Sequence, residues 1–65
     1  MTVKELIEIL EKLPPETEIV VAKDSEGNDF SPVSEVNLGT YEPESTWSGT
    51  FTHDGKSHAC IWPVN

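Results

Sequence analysis

Arginine is absent from this sequence, lysine occurs four times, and Cys60 is its one cysteine. A single cysteine excludes an internal disulfide and points to a reducing compartment. Twelve acidic residues against four basic ones leave a formal charge of −8. That balance argues against direct nucleic-acid binding, which needs basic stripes that release counterions from phosphates. No apolar run reaches the length of a membrane span, and the N-terminus lacks the basic start and apolar stretch of a signal peptide. The expectation is a protein without membrane contact that stays in the cytoplasm. Length is also in short supply. A chain of 65 residues makes one domain, spanning 1–65, and buries only about 60% of its unfolded surface. Chains this small usually rely on a disulfide, a metal or an oligomer. With the disulfide gone, a metal or a homodimer or higher oligomer is left.

What is present organises into one helix and several strands. MTVKELIEILEKLPP reads as an amphipathic helix over 3–13. Thr2 is the N-cap and Glu5, three residues on, completes a capping box. Met1 and Leu6 are placed to form a hydrophobic staple around that cap. Val3, Leu6, Ile7, Leu10 and Leu13 follow helical spacing on one stripe. Glu8 and Lys12 are spaced as an ion pair on the other side, and Pro14 and Pro15 stop the helix. A helix this short does not hold alone in water, so its stripe requires a sheet. Strands are expected at about 18–23, 31–38, 48–52 and 57–62. The run Ile19-Val20-Val21-Ala22 reads as a central strand covered on both faces. Asp54-Gly55 reads as a type I′ hairpin turn joining the last two strands. On the last strand His58, Cys60 and Trp62 share one face, and Ala59 and Ile61 the other. The fold class is therefore α+β: one N-terminal helix packed on a small, mostly antiparallel sheet of three or four strands, in the order α-β-β-β-β.

The residue types of reactive sites are present without their spacing. His53, His58 and Cys60 suit zinc, but they lack the paired spacing of a zinc knuckle and no fourth ligand beyond Asp54 is obvious. No metal or other cofactor is expected. Cys60, Ser48 and Ser57 are nucleophile types without a nucleophile elbow or a papain-like pattern, in a domain too small for an enclosed pocket. We expect no enzyme activity. DSEGND places acids around a glycine without the spacing of a calcium loop, so it reads as a solvated turn.

The least ordinary stretch is YEPESTWSGTF, residues 41 to 51. Pro43 and Glu44-Ser45-Thr46 break strand periodicity, and Ser48-Gly49 permits a tight return. Two readings of its rings stand side by side. Trp47 folds back as a lid on the sheet face that the helix leaves bare, or Tyr41, Glu42, Glu44, Ser45, Thr46, Trp47 and Ser48 form a contact loop of the aromatic kind that dominates binding hot spots.

Three blocks, VKELIEILEKLPPETEIVVAKD, YEPESTWSGTF and the closing CIWP, cover most of the chain. On them it resembles a family of small acidic bacteriophage and prophage proteins known as hypothetical proteins. The resemblance implies a phage setting and transfers no catalytic residues. It leads to the expectation of a non-enzymatic accessory protein that binds a host or anti-phage defence protein and inhibits or modulates it, through the acidic surface and the Trp47 loop. Two alternatives stay open. One is an oligomeric sponge in which Tyr41 and Trp47 stack a nucleotide base; the other is a minor structural or assembly component of the virion.

Overall fold

The helix begins where its cap is written. In the computed structural model, which describes all 65 residues, the Glu5 backbone N–H donates to Thr2 Oγ1 at 3.2 Å and the Thr2 N–H donates to Glu5 Oε1 at 2.8 Å. This closes the capping box at the head of α1 (Val3–Leu10). The staple does not close, because Met1 remains 88% exposed. The helix also ends three residues before the expected Leu13. Leu13 N–H donates to the Leu10 carbonyl and Lys12 N–H to the Ile9 carbonyl, bonds that tighten the final turn ahead of Pro14, whose ring bars helical geometry at Leu13. Lys12 therefore lies outside the helix and makes no ion pair with Glu8. The ion pair of this structure is Lys23 to Asp29, at 3.2 Å.

Four strands follow: β1 (Val20–Ala22), β2 (Phe30–Pro43), β3 (Gly49–Thr52) and β4 (His58–Pro63). The architecture is α+β, with element order α-β-β-β-β and antiparallel pairing throughout. All pairing converges on β2, which takes β1 at Phe30–Pro32, β4 between Val33 and Gly39, and β3 between Thr40 and Pro43. Three expectations are corrected here. β1 is an edge strand and not a central one; it pairs with β2 alone, and its ladder stops where Val20 meets Pro32, a residue with no N–H to give. β2 does not stop at Leu38 but runs on through Gly39 to Pro43. β3 and β4 are not a hairpin pair, because each is bound to β2. Gly55 takes a positive φ of 80° and Asp54 does not, so the turn is not type I′, which needs positive φ at both central residues. The 53–57 segment instead lies on β2, where Thr40 Oγ1 donates to the Asp54 carbonyl at 2.6 Å.

Cross-strand partners share a face, so the register sorts the side chains. Val36 opposite Ile61 and Leu38 opposite Ala59 look toward α1; Glu35 opposite Trp62, Asn37 opposite Cys60 and Gly39 opposite His58 look away. A bulge between Val33 and Glu35 adds one residue, so Val33 returns to the helix side although it is three residues from Val36. The far face closes on itself. Phe51 stands opposite Tyr41 and Trp62 opposite Glu35, six positions apart on β2, or about 20 Å of straight strand. Yet the Phe51 and Trp62 rings are 5.6 Å apart. β2 must therefore coil near Gly39, carrying the β3 end back over the β4 end. Gly39 is buried, and Phe51 and the Thr52 carbonyl occupy the place of its missing Cβ. The chain end is tied down by Ser31, 2% exposed, whose Oγ accepts from the Val64 and Asn65 N–H groups at 2.8 and 3.3 Å.

The near face does not close. α1 lies across it, but Val3 is 63% and Ile7 48% exposed, and no apolar side chain of the molecule is fully buried. The helix stripe and the Val36–Ile61 surface bound an open groove of about 850 Å³.

Candidate functional site

The 41–51 stretch is a β-hairpin and not an irregular loop. Tyr41 and Glu42 belong to β2 and pair with Phe51 and Thr50 of β3, which leaves 44–48 as the tip. Strand pairing runs up to Pro43 opposite Gly49 because Pro43 needs no donor at the end of a ladder.

The tip is held by its own serines. Ser45 Oγ accepts from the Trp47 N–H at 3.2 Å and the Ser48 N–H at 3.1 Å, and it hydrogen-bonds the Ser48 hydroxyl at 2.9 Å. The Ser48 carbonyl accepts from the Glu44 and Ser45 N–H groups at 2.9 and 3.1 Å. Beside it, Thr50 Oγ1 donates to Glu44 Oε1 at 2.8 Å. A short hydroxyl side chain that satisfies two successive N–H groups mimics a backbone turn and fixes its shape. Trp47 sits at the apex of this clamp, 87% exposed. Thr46 is exposed next to it, and Glu42 and Glu44 put carboxylates on the same hairpin. The lid reading of Trp47 is thereby corrected. The far face is covered by Phe51 of β3, which reaches Trp62 as β2 coils, with His53 just beyond β3 stacked on the same indole, and Trp47 takes no part in that cover.

Tyr41 and Trp47 do not come together as one platform. Tyr41 packs edge-on to His58, ring centres 5.7 Å apart, at the strand end of the hairpin. His53 stacks on Trp62 at 5.6 Å with the rings 18° from parallel, and the Trp62 indole N–H donates to Asn37 Oδ1 at 2.8 Å. The His58 Nδ1 is 2.8 Å from the Ser57 hydroxyl. Cys60 is partly buried on the same face as His58. His53, His58 and Cys60 are thus engaged separately, and no group of three His, Cys, Asp or Glu side chains converges where it could hold a metal ion.

The DSEGND turn is built from Asp24. Its Oδ1 accepts from the Glu26 and Asn28 N–H groups at 2.9 and 3.1 Å. The Asn28 N–H chiefly holds the Asp24 carboxyl below the usual carboxylate range. Asp29 is lowered as well, first by its hydrogen bond from Lys23.

The groove under α1 is the second surface with binding character. Met1, Leu6, Ile7 and Leu10 line it from the helical segment, and Ile19, Val33, Val36, His58 and Ile61 from the sheet side; no Asp, Glu, Lys or Arg lines it. The helical period points to this stripe in the sequence, and what periodicity leaves out is that the sheet does not cover it. Compared with family models, curated proteins and solved structures, the chain matches none. No helix is long and apolar enough to cross a membrane.

Proposed function

We propose that this chain is a non-enzymatic, phage-derived accessory protein that binds a host or defence protein through the Trp47 hairpin and modulates it. The observation that carries this reading is Trp47 itself, 87% exposed on a tip locked by Ser45 and Ser48. Exposing an indole to water is unfavourable, and the serine clamp fixes the backbone that carries the ring at the apex. A pre-ordered tip also lowers the entropic cost of binding, and tryptophan heads the residues that dominate interface energetics. Glu42 and Glu44 supply a rim of negative charge, and the whole chain at −8 draws a basic partner over long range.

The test compares immobilised wild type with Trp47→Ala in bacterial lysate at low and high salt, after circular dichroism shows that both are folded. The expected result is a partner held by wild type, absent from the variant and released by salt. The same proteins on both columns would remove Trp47 from the function.

A further inference from the structure

We propose that the groove between α1 and the sheet is the interface of a homodimer, filled by the same face of a second copy. The molecule exposes 5640 Å², whereas a folded monomer of 7.2 kDa exposes about 4,100 Å² by the size scaling of monomeric proteins. Its radius of gyration is 13.1 Å, against about 10.7 Å for a compact chain of this length. The surplus surface, about 1,500 Å² per chain, is shared between the groove face, where Val3, Ile7, Val36 and Ile61 are exposed, and the hairpin and β1 edge, where Trp47 and Val20 are; obligate dimers bury about 1,000–2,500 Å² on each partner. The groove face is the part of that surplus where exposed apolar side chains of helix and sheet adjoin.

Three features select a second copy as the occupant. No carboxylate lines the groove although twelve of the 65 residues are acidic, so two copies meet there without placing carboxylates face to face. The face is self-complementary. It offers a ridge, the exposed Val3–Ile7 side of α1, beside a depression floored by Val36 and Ile61, and a two-fold axis sets each ridge against the other copy's depression. The cover is also needed whenever the chain is folded, because no apolar side chain is fully buried without it. A second copy is the one partner always present with the first.

The charge gives the dimer a signature. Two bodies of −8 repel at distance while their apolar faces attract. Raising salt from about 0.1 M to about 1 M shortens the Debye length from about 10 Å to about 3 Å and tightens the dimer severalfold. Binding through the acidic hairpin moves the opposite way.

Sedimentation equilibrium on the wild-type chain tests the mass, and isotope-filtered NOE spectra on mixed labelled and unlabelled chains locate the contact without any variant. The expected mass is twice the 7.2 kDa of one chain, with intermolecular NOEs joining the Val3 and Ile7 methyls to those of Val36 and Ile61. Ile7→Glu is expected to lose the dimer, whereas Trp47→Ala keeps it, since the tip lies outside the groove lining. A one-chain mass at NMR concentration, intermolecular NOEs confined to the hairpin tip or the β1 edge, or dissociation by Trp47→Ala would each overturn the proposal.

Discussion

Replacing Gly39 with alanine places one methyl group where β2 coils, and the structure sets what it meets. The new Cβ would run into the Phe51 ring and the Thr52 carbonyl oxygen, with Phe51 Cε2 at 2.7 Å. The ring has little room to turn away, because it lies edge-on to both Trp62 and His53 at 5.6 and 5.8 Å. The carbonyl is fixed by the pairing of Thr52 with Thr40. The strand itself must move. Overpacking of this kind costs about 1–3 kcal/mol, and loosening the Phe51–Trp62 contact removes up to about 1.5 kcal/mol more. A loss near 3 kcal/mol is expected. A chain of 65 residues has a total stability of about 3–10 kcal/mol, so Gly39→Ala sits at or near the unfolding threshold. The assay is urea unfolding at fixed protein concentration in a Trp47→Phe background, so that Trp62 is the sole indole reporter. A loss under about 0.5 kcal/mol, the range of an ordinary surface change, would refute the coil at Gly39 and with it the closure of the far face by β3.

Thr2→Ala removes the N-cap and should cost about 1 kcal/mol, read by urea denaturation, with Thr2→Ser restoring most of it. Trp47→Ala, stripped from an exposed tip, should shift stability by no more than about 0.5 kcal/mol, in contrast to its expected effect on partner binding. The Thr2 N–H chiefly lowers the Glu5 carboxyl, the Asn28 N–H lowers Asp24, and the Lys23 hydrogen bond lowers Asp29. A carboxylate with a lowered folded pKa adds stability that is complete above its unfolded value and lost as pH falls through the folded one. Thermal stability should therefore decline as pH drops below about 4, and Asp24→Asn should flatten that decline. An unchanged profile would mean that the Asp24 turn is not formed in solution.

The start of α1 was legible because a capping box is local: Thr2 and Glu5 satisfy each other across a single turn. Its end was less so, since Leu10 to Leu13 continue the apolar period and only the geometry before Pro14 cuts it short. The strand expected over 31–38 runs on past Gly39 for a physical reason. Glycine punctuates a chain when it turns, but it also marks where another segment comes too close for a Cβ, and only the path of β3 distinguishes the two. Asp54-Gly55 failed similarly. Its composition favours a hairpin, but pairing is decided by which edges compete, and the long β2 captured both β3 and β4. In the hairpin the break in periodicity at Pro43 through Ser48 was readable as a turn. The outward aim of Trp47 was not, because it depends on Phe51 and His53 already lying on the face that the lid reading assigned to it.

The placement of charge connects the two proposed surfaces. Acids flank Trp47 at Glu42 and Glu44 and are missing from the groove lining. A −8 chain with an open apolar face risks uncontrolled aggregation, and a surplus of one sign spread over the remaining surface opposes every association that is not closely fitted. A contact that pairs two grooves free of carboxylates gains apolar burial with the least like-charge approach, so it survives where others are repelled. The same field acts oppositely at the hairpin, where the basic partner of the proposed function would be attracted toward the indole. Uniform charge thus disfavours self-contact through the tip and leaves it open to an outside protein, while the groove is left to a second copy. The two associations should then respond to salt with opposite sign, because one works against the field of the chain and the other with it.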